Sequence, residues 1–295
     1  MSRPERQREM ISENPGQRYG TSDAFRFSRR DDVRYLECLA LGECGFITHA
    51  FCTRWGGISE GSLANLNFGA RSGDREEHLS RNREILCSAF DIQEKNLITV
   101  TQVHGDRLLV IDEKTRDWRY GGSLEYDGII SAMPGMPVGV KTADCVPVFL
   151  VDRARRVVGA VHAGWKGTSL GITAKAIGVF VKEFASTPAD ILAVIGPAIG
   201  PCCYEVDEVV FRDFDKKRGE SFFTRCEKEG RWMFDLPAAN RFQLLDAGVP
   251  PDNIFSAGIC TSCSRDAFFS HRGEKGDTGR QLSFIMLRQA DARQT

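Results

Sequence analysis

The sequence predicts an α/β fold, a single domain with mixed β-sheets flanked by helices. Three observations carry this. Short apolar runs mix with segments of helical spacing, but without the strict strand–helix–strand beat of a doubly wound sheet. The 295 residues are 42% hydrophobic, enough to bury one sizeable core. After about residue 30 no repeat, low-complexity tract or Pro/Ser-rich linker divides the chain.

The elements follow in order. Residues 46–53 read as a buried strand running into Arg54-Trp-Gly-Gly-Ile-Ser, a turn built on paired glycines. Residues 74–90 have helical spacing at Leu79, Ile85, Leu86 and Phe90, with Ser72 or Asp74 as the cap. Residues 97–104 form a strand ending at His104, and 107–111 another. A short strand at 127–131 precedes the turn Met133-Pro-Gly, and 137–145 is a strand that delivers Cys145. The apolar run continues over 146–152. Residues 157–162 form a strand ending at His162, a glycine-bearing turn follows at 163–168, and a helix runs over 169–184. Strands are predicted at 191–195, 253–259 and 281–287, and helices at 206–214 and 236–247. Residues 1–28 are polar and mixed in charge and read as a flexible extension, leaving 29–295 as a single catalytic domain.

Composition excludes several classes. With 39 basic and 40 acidic residues the formal net charge is -1, so no global field favours nucleic acid or an anionic membrane. No apolar run approaches the roughly 20 residues of a membrane helix. The N-terminus lacks a signal-peptide core, and its acidic residues argue against a transit peptide; cytoplasm is the expected compartment. Ten cysteines in this length are not a disulfide scaffold.

The chemistry concentrates in His104, Cys145 and His162. They lie in Thr-Gln-Val-His-Gly, Lys-Thr-Ala-Asp-Cys-Val-Pro-Val and Val-His-Ala-Gly-Trp-Lys-Gly-Thr, each at or near a strand end and beside a Gly or Pro turn. Two imidazoles and a thiolate are the ligand set of a catalytic zinc with an open fourth position. The same groups serve a cysteine nucleophile with a histidine base. Their wide spacing matches no compact finger motif, and a lone Cys in an apolar strand is commonly a small buried hydrophobe. Asp144 stands where it could orient a neighbouring group. Cys202, Cys203, Cys260 and Cys263 form a second group; adjacency of the first pair is poor ligand spacing, and buried thiols are the expectation there.

These motifs, with Ile-Gly-Pro-Ala-Ile-Gly-Pro-Cys-Cys-Tyr-Glu-Val and the closing Thr-Gly-Arg-Gln, stand in one order over about residues 45–288. In this the chain resembles the purine nucleoside phosphorylase family once labelled laccase-domain or multicopper polyphenol oxidase. The resemblance implies an α/β fold of the cysteine-hydrolase-like kind and one zinc ion held by His104, Cys145 and His162, which are also the implied catalytic residues. It implies phosphorolysis of adenosine, inosine and 5′-methylthioadenosine and deamination of adenosine. It also admits amide hydrolysis of a peptidoglycan precursor at the same site. A nucleoside- or metal-binding protein without turnover is the non-enzymatic alternative. A copper oxidase fits poorly, because five histidines cannot build several His-rich copper sites.

Phosphorolysis needs cations that hold phosphate against the anomeric carbon. Arg54 matches the family's Arg-x-Gly-Gly turn and is the first candidate, followed by Arg272 and Arg280 in the closing loop. Asn67 and Asp127 match further family positions as substrate-binding residues. Lys166 stands where relatives carry Arg, His271 where Tyr is usual, and Gly273 where another Arg is usual. Lys lacks the bidentate fork of Arg, so these departures bear on how substrate is gripped. The expected partners are nucleoside and phosphate, with no nucleic acid and no membrane; a homodimer is compatible with the sequence.

Overall fold

The computed structural model describes residues 22–113, 125–218 and 220–289. Two six-stranded sheets lie at its centre. The first is built from β1 (Phe25–Arg30), β2 (Val33–Cys38), β3 (Ile47–Cys52), β4 (Ile98–Thr99), β7 (Val138–Thr142) and β15 (Gln281–Leu287), in the order β1-β2-β3-β15-β7-β4. The second contains β5 (Leu108–Ile111), β6 (Gly128–Ser131), β8 (Val146–Asp152), β9 (Val157–Ala163), β10 (Ile191–Ile195) and β14 (Ile254–Ser256), in the order β14-β10-β8-β9-β6-β5. Both are mixed: β4 pairs parallel with β7, β5 with β6 and β10 with β14, while the other pairs are antiparallel. A small antiparallel sheet joins β11 (Glu205–Asp207), β13 (Arg231–Phe234) and β12 (Phe223–Arg225).

Side chains alternate across a strand, and here that alternation feeds three apolar layers. Leu36, Ile47, Phe51, Val138, Val140 and Ile285 of the first sheet meet Phe149, Val151, Val158, Ala160, Leu192 and Val194 of the second. The outer face of the first sheet, with Val33, Tyr35, Ala50 and Phe284, packs on Leu86, Cys87 and Phe90 around helix α2 (Glu76–Ala89). The outer face of the second sheet, with Val148, Leu150, Val161 and Ala193, is covered by α4 (Ile172–Phe184) and α6 (Leu236–Asp246). Three shorter or more polar helices, α1 (Leu39–Gly42), α3 (Trp165–Ser169) and α5 (Glu208–Arg218), complete the set among the described residues. The prediction of one α/β unit with mixed sheets is met.

The two sheets are stapled by Phe51 stacked on Phe149, ring centroids 4.3 Å apart; neither is more than 1% exposed. Truncating Phe149 to Ala leaves a cavity that neither sheet can collapse into. The expected loss is about 3–5 kcal/mol, read as a lowered urea midpoint at unchanged slope.

Element boundaries differ from expectation where local chemistry intervenes. Phe25–Ser28, predicted to belong to the extension, lie in β1; residues 1–21 are outside the described ones. The strand predicted to reach His104 ends at Thr99. Beyond it the Gln102 side chain stands in for the ladder: its Nε2 donates to the Lys141 carbonyl at 2.7 Å and its Oε1 accepts from the Lys141 N–H at 2.8 Å. Residues 165–168, expected as part of a turn, lie with Ser169 in the short helix α3. The N-cap of α2 is Arg75, without a side-chain cap bond. Asp74 instead accepts from Ser59, Asn67, the Arg75 N–H and His78.

Candidate metal centre and cavity

Two segments cross from the first sheet to the second at one end of the sandwich, β4 to β5 and β7 to β8. His104 lies on the first crossing and Cys145 on the second. His162 is on β9, where it pairs with Pro147 of β8, two residues beyond Cys145. The three ligand atoms lie within 4.8 Å of one another, and the two imidazoles meet edge to face at 4.9 Å between centroids.

Asp127, just ahead of β6, organises this arrangement. Its Oδ1 accepts from the His104 backbone N–H at 2.9 Å and its Oδ2 from Gly105 at 2.6 Å and Val103 at 3.3 Å. That cradle fixes the turn in which His104 takes φ 58°, a left-handed conformation costly for a residue with a Cβ. Asp127 Oδ1 also lies 2.8 Å from His162 Nδ1. A carboxylate only accepts, so Nδ1 carries the proton and Nε2 is left for the trio. Burial works to raise the Asp127 pKa. The bond and charge of His162 and the backbone N–H groups of Gly105 and Val103 outweigh it and hold the pKa below the usual value.

Gly164 makes the close approach possible. A Cβ there would sit 2.9 Å from His104 Cδ2 and 3.1 Å from Cys145 Sγ. Burial raises the Cys145 thiol pKa, but the charge of His162 and hydrogen bonds from both imidazoles bring it down to about 6. Burial lowers that of His162, while Cys145 and Asp127 together carry it up to about 9. The donor set therefore suits a metal: a ready thiolate, an imidazole fixed by a carboxylate behind it, and a third ligand on an anchored turn.

A pH dependence follows. Between about pH 6 and 9 the metal-free trio holds a thiolate and a His162 imidazolium. Metal needs the Nε2 lone pair, so loading releases close to one proton. Affinity rises about tenfold per pH unit across that window and falls away on acidification. Chelator competition from pH 6 to 9 checks this; a flat profile contradicts it.

The trio opens into a cavity of about 560 Å³, lined also by Arg71, Gln102, Lys141, Trp165, Tyr204, His271, Arg272 and Arg280, a volume typical of a small-molecule site. Burial, with Arg83 and Arg71 nearby, holds Lys141 below the usual lysine value. Burial also lowers Arg280, against the opposing pull of Cys145 and Asp144. Crowded, partly desolvated cations of this kind suit an anionic ligand. Arg272 lies over the Tyr204 ring, 5.2 Å from its centroid, and donates to the Glu205 carbonyl at 2.6 Å.

Of the six residues predicted to bind substrate or phosphate, the structure brings only Arg272 and Arg280 to the cavity wall. Arg54 is a correction. Its guanidinium donates to the carbonyls of Ala64, Arg265 and Ser62 and to Glu274, over the Phe269 ring. It ties two loops together. Asn67 is also structural: fully buried, it bonds Ser72, Asp74 and the N–H groups of Gly69 and Arg280. Asp127 acts behind the trio, as described. Lys166 is exposed on α3, its Nζ 5.4 Å from the centroid of the Trp165 ring. Asp144, φ 93°, orients the closing loop: it accepts from Thr261, Ser270 and the Arg272 N–H. His271 lines the cavity. At Gly273 a Cβ would crowd Arg265 Cδ at 2.7 Å.

Lys141 and Arg71 were the cavity cations the sequence left unmarked. Lys141 had a signal, a lone cation in the apolar run Val-Gly-Val-Lys-Thr; Arg71, in an exposed loop, had none. The cysteines are a further correction: Cys202 and Cys263 are exposed and Cys203 and Cys260 partly so, and the four sulfurs are gathered together. A tight turn, not a strand, carries the adjacent pair, so both side chains face the same neighbours.

Fold and site together define a mixed α/β protein with a metal-competent two-histidine, one-cysteine centre in a cationic cavity. The chain belongs to the family described as multi-copper polyphenol oxidoreductase laccase, whose model matches residues 48–288. It is 36% identical over 267 residues to purine nucleoside phosphorylase YlmD of Geobacillus stearothermophilus, covering 86% of this chain and 95% of the relative. It is 35% identical over 265 residues to a purine nucleoside phosphorylase of Bacteroides thetaiotaomicron, covering 87% and 97%. The crystal structure of Bacillus licheniformis hypothetical protein YfiH superposes with a TM-score of 0.82 at 37% identity, over 90% of this chain and 100% of that one. The copper in the family description finds no His-rich cluster among the described residues: His49 accepts from the Cys38 N–H and His78 pairs with Asp74. No helix among the described residues is long and apolar enough to cross a membrane.

Proposed function

We propose that this chain is a zinc-dependent purine nucleoside phosphorylase acting on adenosine, inosine and 5′-methylthioadenosine, with adenosine deamination at the same centre. The observation that carries this reading is the convergence of the trio, the cations Arg71, Lys141, Arg272 and Arg280, and the aromatic faces of Trp165 and Tyr204 on one cavity. The names of the relatives support it. His104, Cys145 and His162 would hold the zinc, which when bound would supply Lewis acidity.

The protein's own groups do the rest. In phosphorolysis the glycosidic C–N bond breaks, a phosphate oxygen bonds to the anomeric carbon, and the base leaves with a proton. Lys141, Arg280 and their neighbours hold the phosphate dianion and offset charge as it shifts in the transition state. Trp165 and Tyr204 offer flat faces to a purine. Asp127 keeps His162 in the tautomer the site needs. In deamination water adds to the purine and ammonia departs. A reducing cytoplasm keeps the Cys145 sulfur from oxidation, and the two imidazoles favour its thiolate. Residues from about 25 onward act as one catalytic domain of the cysteine-hydrolase-like kind.

The test is direct. Zinc-loaded protein is given adenosine with and without phosphate, and products are separated by chromatography. Adenine with ribose 1-phosphate, formed only when phosphate is present, and inosine in either case are the expected products. Absence of all of them while zinc is bound overturns the reading.

One observation favours a second reading. Cys145 is hydrogen-bonded to His162, which is hydrogen-bonded to Asp127, the order of a nucleophile, base and orienting carboxylate. This suits an amidase acting on a peptidoglycan-precursor peptide. In that case amide hydrolysis survives stringent metal removal and is lost in Cys145→Ser.

A further inference from the structure

We infer that Cys202, Cys203, Cys260 and Cys263 form a second metal site, a tetrathiolate for a thiophilic divalent ion of the zinc type, separate from the catalytic trio. The four sulfurs lie within 4.8 Å of one another. Cys263 Sγ is 3.6 Å from Cys202 Sγ and 3.4 Å from Cys203 Sγ. Zinc–sulfur bonds of about 2.3 Å in a tetrahedron put ligand sulfurs about 3.8 Å apart, so an ion fits with small adjustments. A disulfide would consume two sulfurs and leave the other two at the same place without a role.

Both segments that carry the cysteines are built as tight turns tied to each other. The turn at 201–203 is closed by the Cys203 and Tyr204 N–H groups donating to the Gly200 carbonyl, and the turn at 261–263 by Ser264 N–H donating to Cys260. A parallel bridge joins Ala198 to Cys260, and Thr261 N–H donates to the Ala198 carbonyl at 3.0 Å. The Gly200 N–H points at Cys260 Sγ, at 3.3 Å. An N–H donor aimed at sulfur favours the thiolate a metal requires. Gly200 also leaves the space: a Cβ there would stand 3.3 Å from Cys260 Cβ and 3.4 Å from Cys202 Sγ. Binding exchanges up to four thiol protons for one divalent ion and involves no electron transfer.

The site braces one wall of the cavity. Ile199 and Tyr204, on either side of the first turn, line the cavity. Thr261, inside the second, donates to Asp144 at 2.7 Å, next to Cys145. An ion here would tie these two segments together.

The experiment uses the full chain, purified under reductant and saturated with zinc, then freed of excess. Wild type is expected to retain about two ions per chain by elemental analysis, and His104→Ala and Cys260→Ser/Cys263→Ser about one each. Cobalt-loaded His104→Ala is expected to show strong thiolate-to-metal charge transfer and tetrahedral visible bands. This second measurement decides the matter even if the double-serine variant fails to fold. A His104→Ala protein that retains no zinc and shows no thiolate–cobalt bands overturns the proposal. So does a disulfide within the four cysteines of anaerobically prepared protein.

Discussion

Asp127→Asn is expected to strip the trio of most of its metal affinity while the two sheets stay packed. The carboxylate satisfies four donors at once: three successive backbone N–H groups and His162 Nδ1. An amide has one acceptor oxygen. Whichever way it is turned, its NH2 faces N–H groups, and at least one buried donor is left stranded at about 1–3 kcal/mol. The turn holding His104 at φ 58° then loses its anchor, and His162 loses the charge that fixes its tautomer. Loss of such a supporting group costs about 10–100-fold in metal affinity, and here two ligands depend on it. Chelator competition measures the affinity and circular dichroism the fold. Affinity within a few-fold of wild type would show that Asp127 does not organise the centre.

The second large effect is expected from Gly164→Ala. The added methyl would lie 2.9 Å from His104 Cδ2 and 3.1 Å from Cys145 Sγ, closer than carbon and sulfur tolerate. Gly164 is the N-cap of α3, with φ -74°, so alanine is allowed by the backbone and the clash alone is tested. Relief requires His104 or Cys145 to move. Overpacking of this kind costs about 1–3 kcal/mol, and a displacement near 1 Å in the reacting geometry about 10²-fold in rate. Folded Gly164→Ala protein should bind metal poorly and, on the proposed function, turn over adenosine slowly. A crystal structure should show the His104 imidazole displaced. Full occupancy with unchanged rate would refute the steric account.

What could be read from the sequence depended on whether burial left a one-dimensional trace. β15 is visible to the residue because it lies between β3 and β7 and is buried nearly throughout, which writes a mostly apolar run, Gln-Leu-Ser-Phe-Ile-Met-Leu. β1 is invisible because Phe-Arg-Phe-Ser-Arg-Arg is an edge strand that buries fully only Phe25. The half-polar strands β11 to β13 are three or four residues long and carry no period. The trio was legible as separate motifs, each beside a glycine or a proline. Its assembly was not, since it arises from two chain crossings and a strand pairing. The cation wall failed for a simpler reason. An arginine ahead of two glycines has the same letters whether its guanidinium meets phosphate or, as in Arg54, three carbonyls and Glu274.

The placement of the trio on segments that pass between the sheets has a thermodynamic consequence. An ion held by His104, Cys145 and His162 is a cross-tie between the two halves of the sandwich, and the tie exists only once both sheets have docked. Folding and loading are therefore linked by mass action. At a free metal concentration a hundred times the dissociation constant the native state gains about 2.7 kcal/mol. The melting temperature becomes a reading of the surrounding metal supply, so scarcity of the ion would shorten the protein's lifetime.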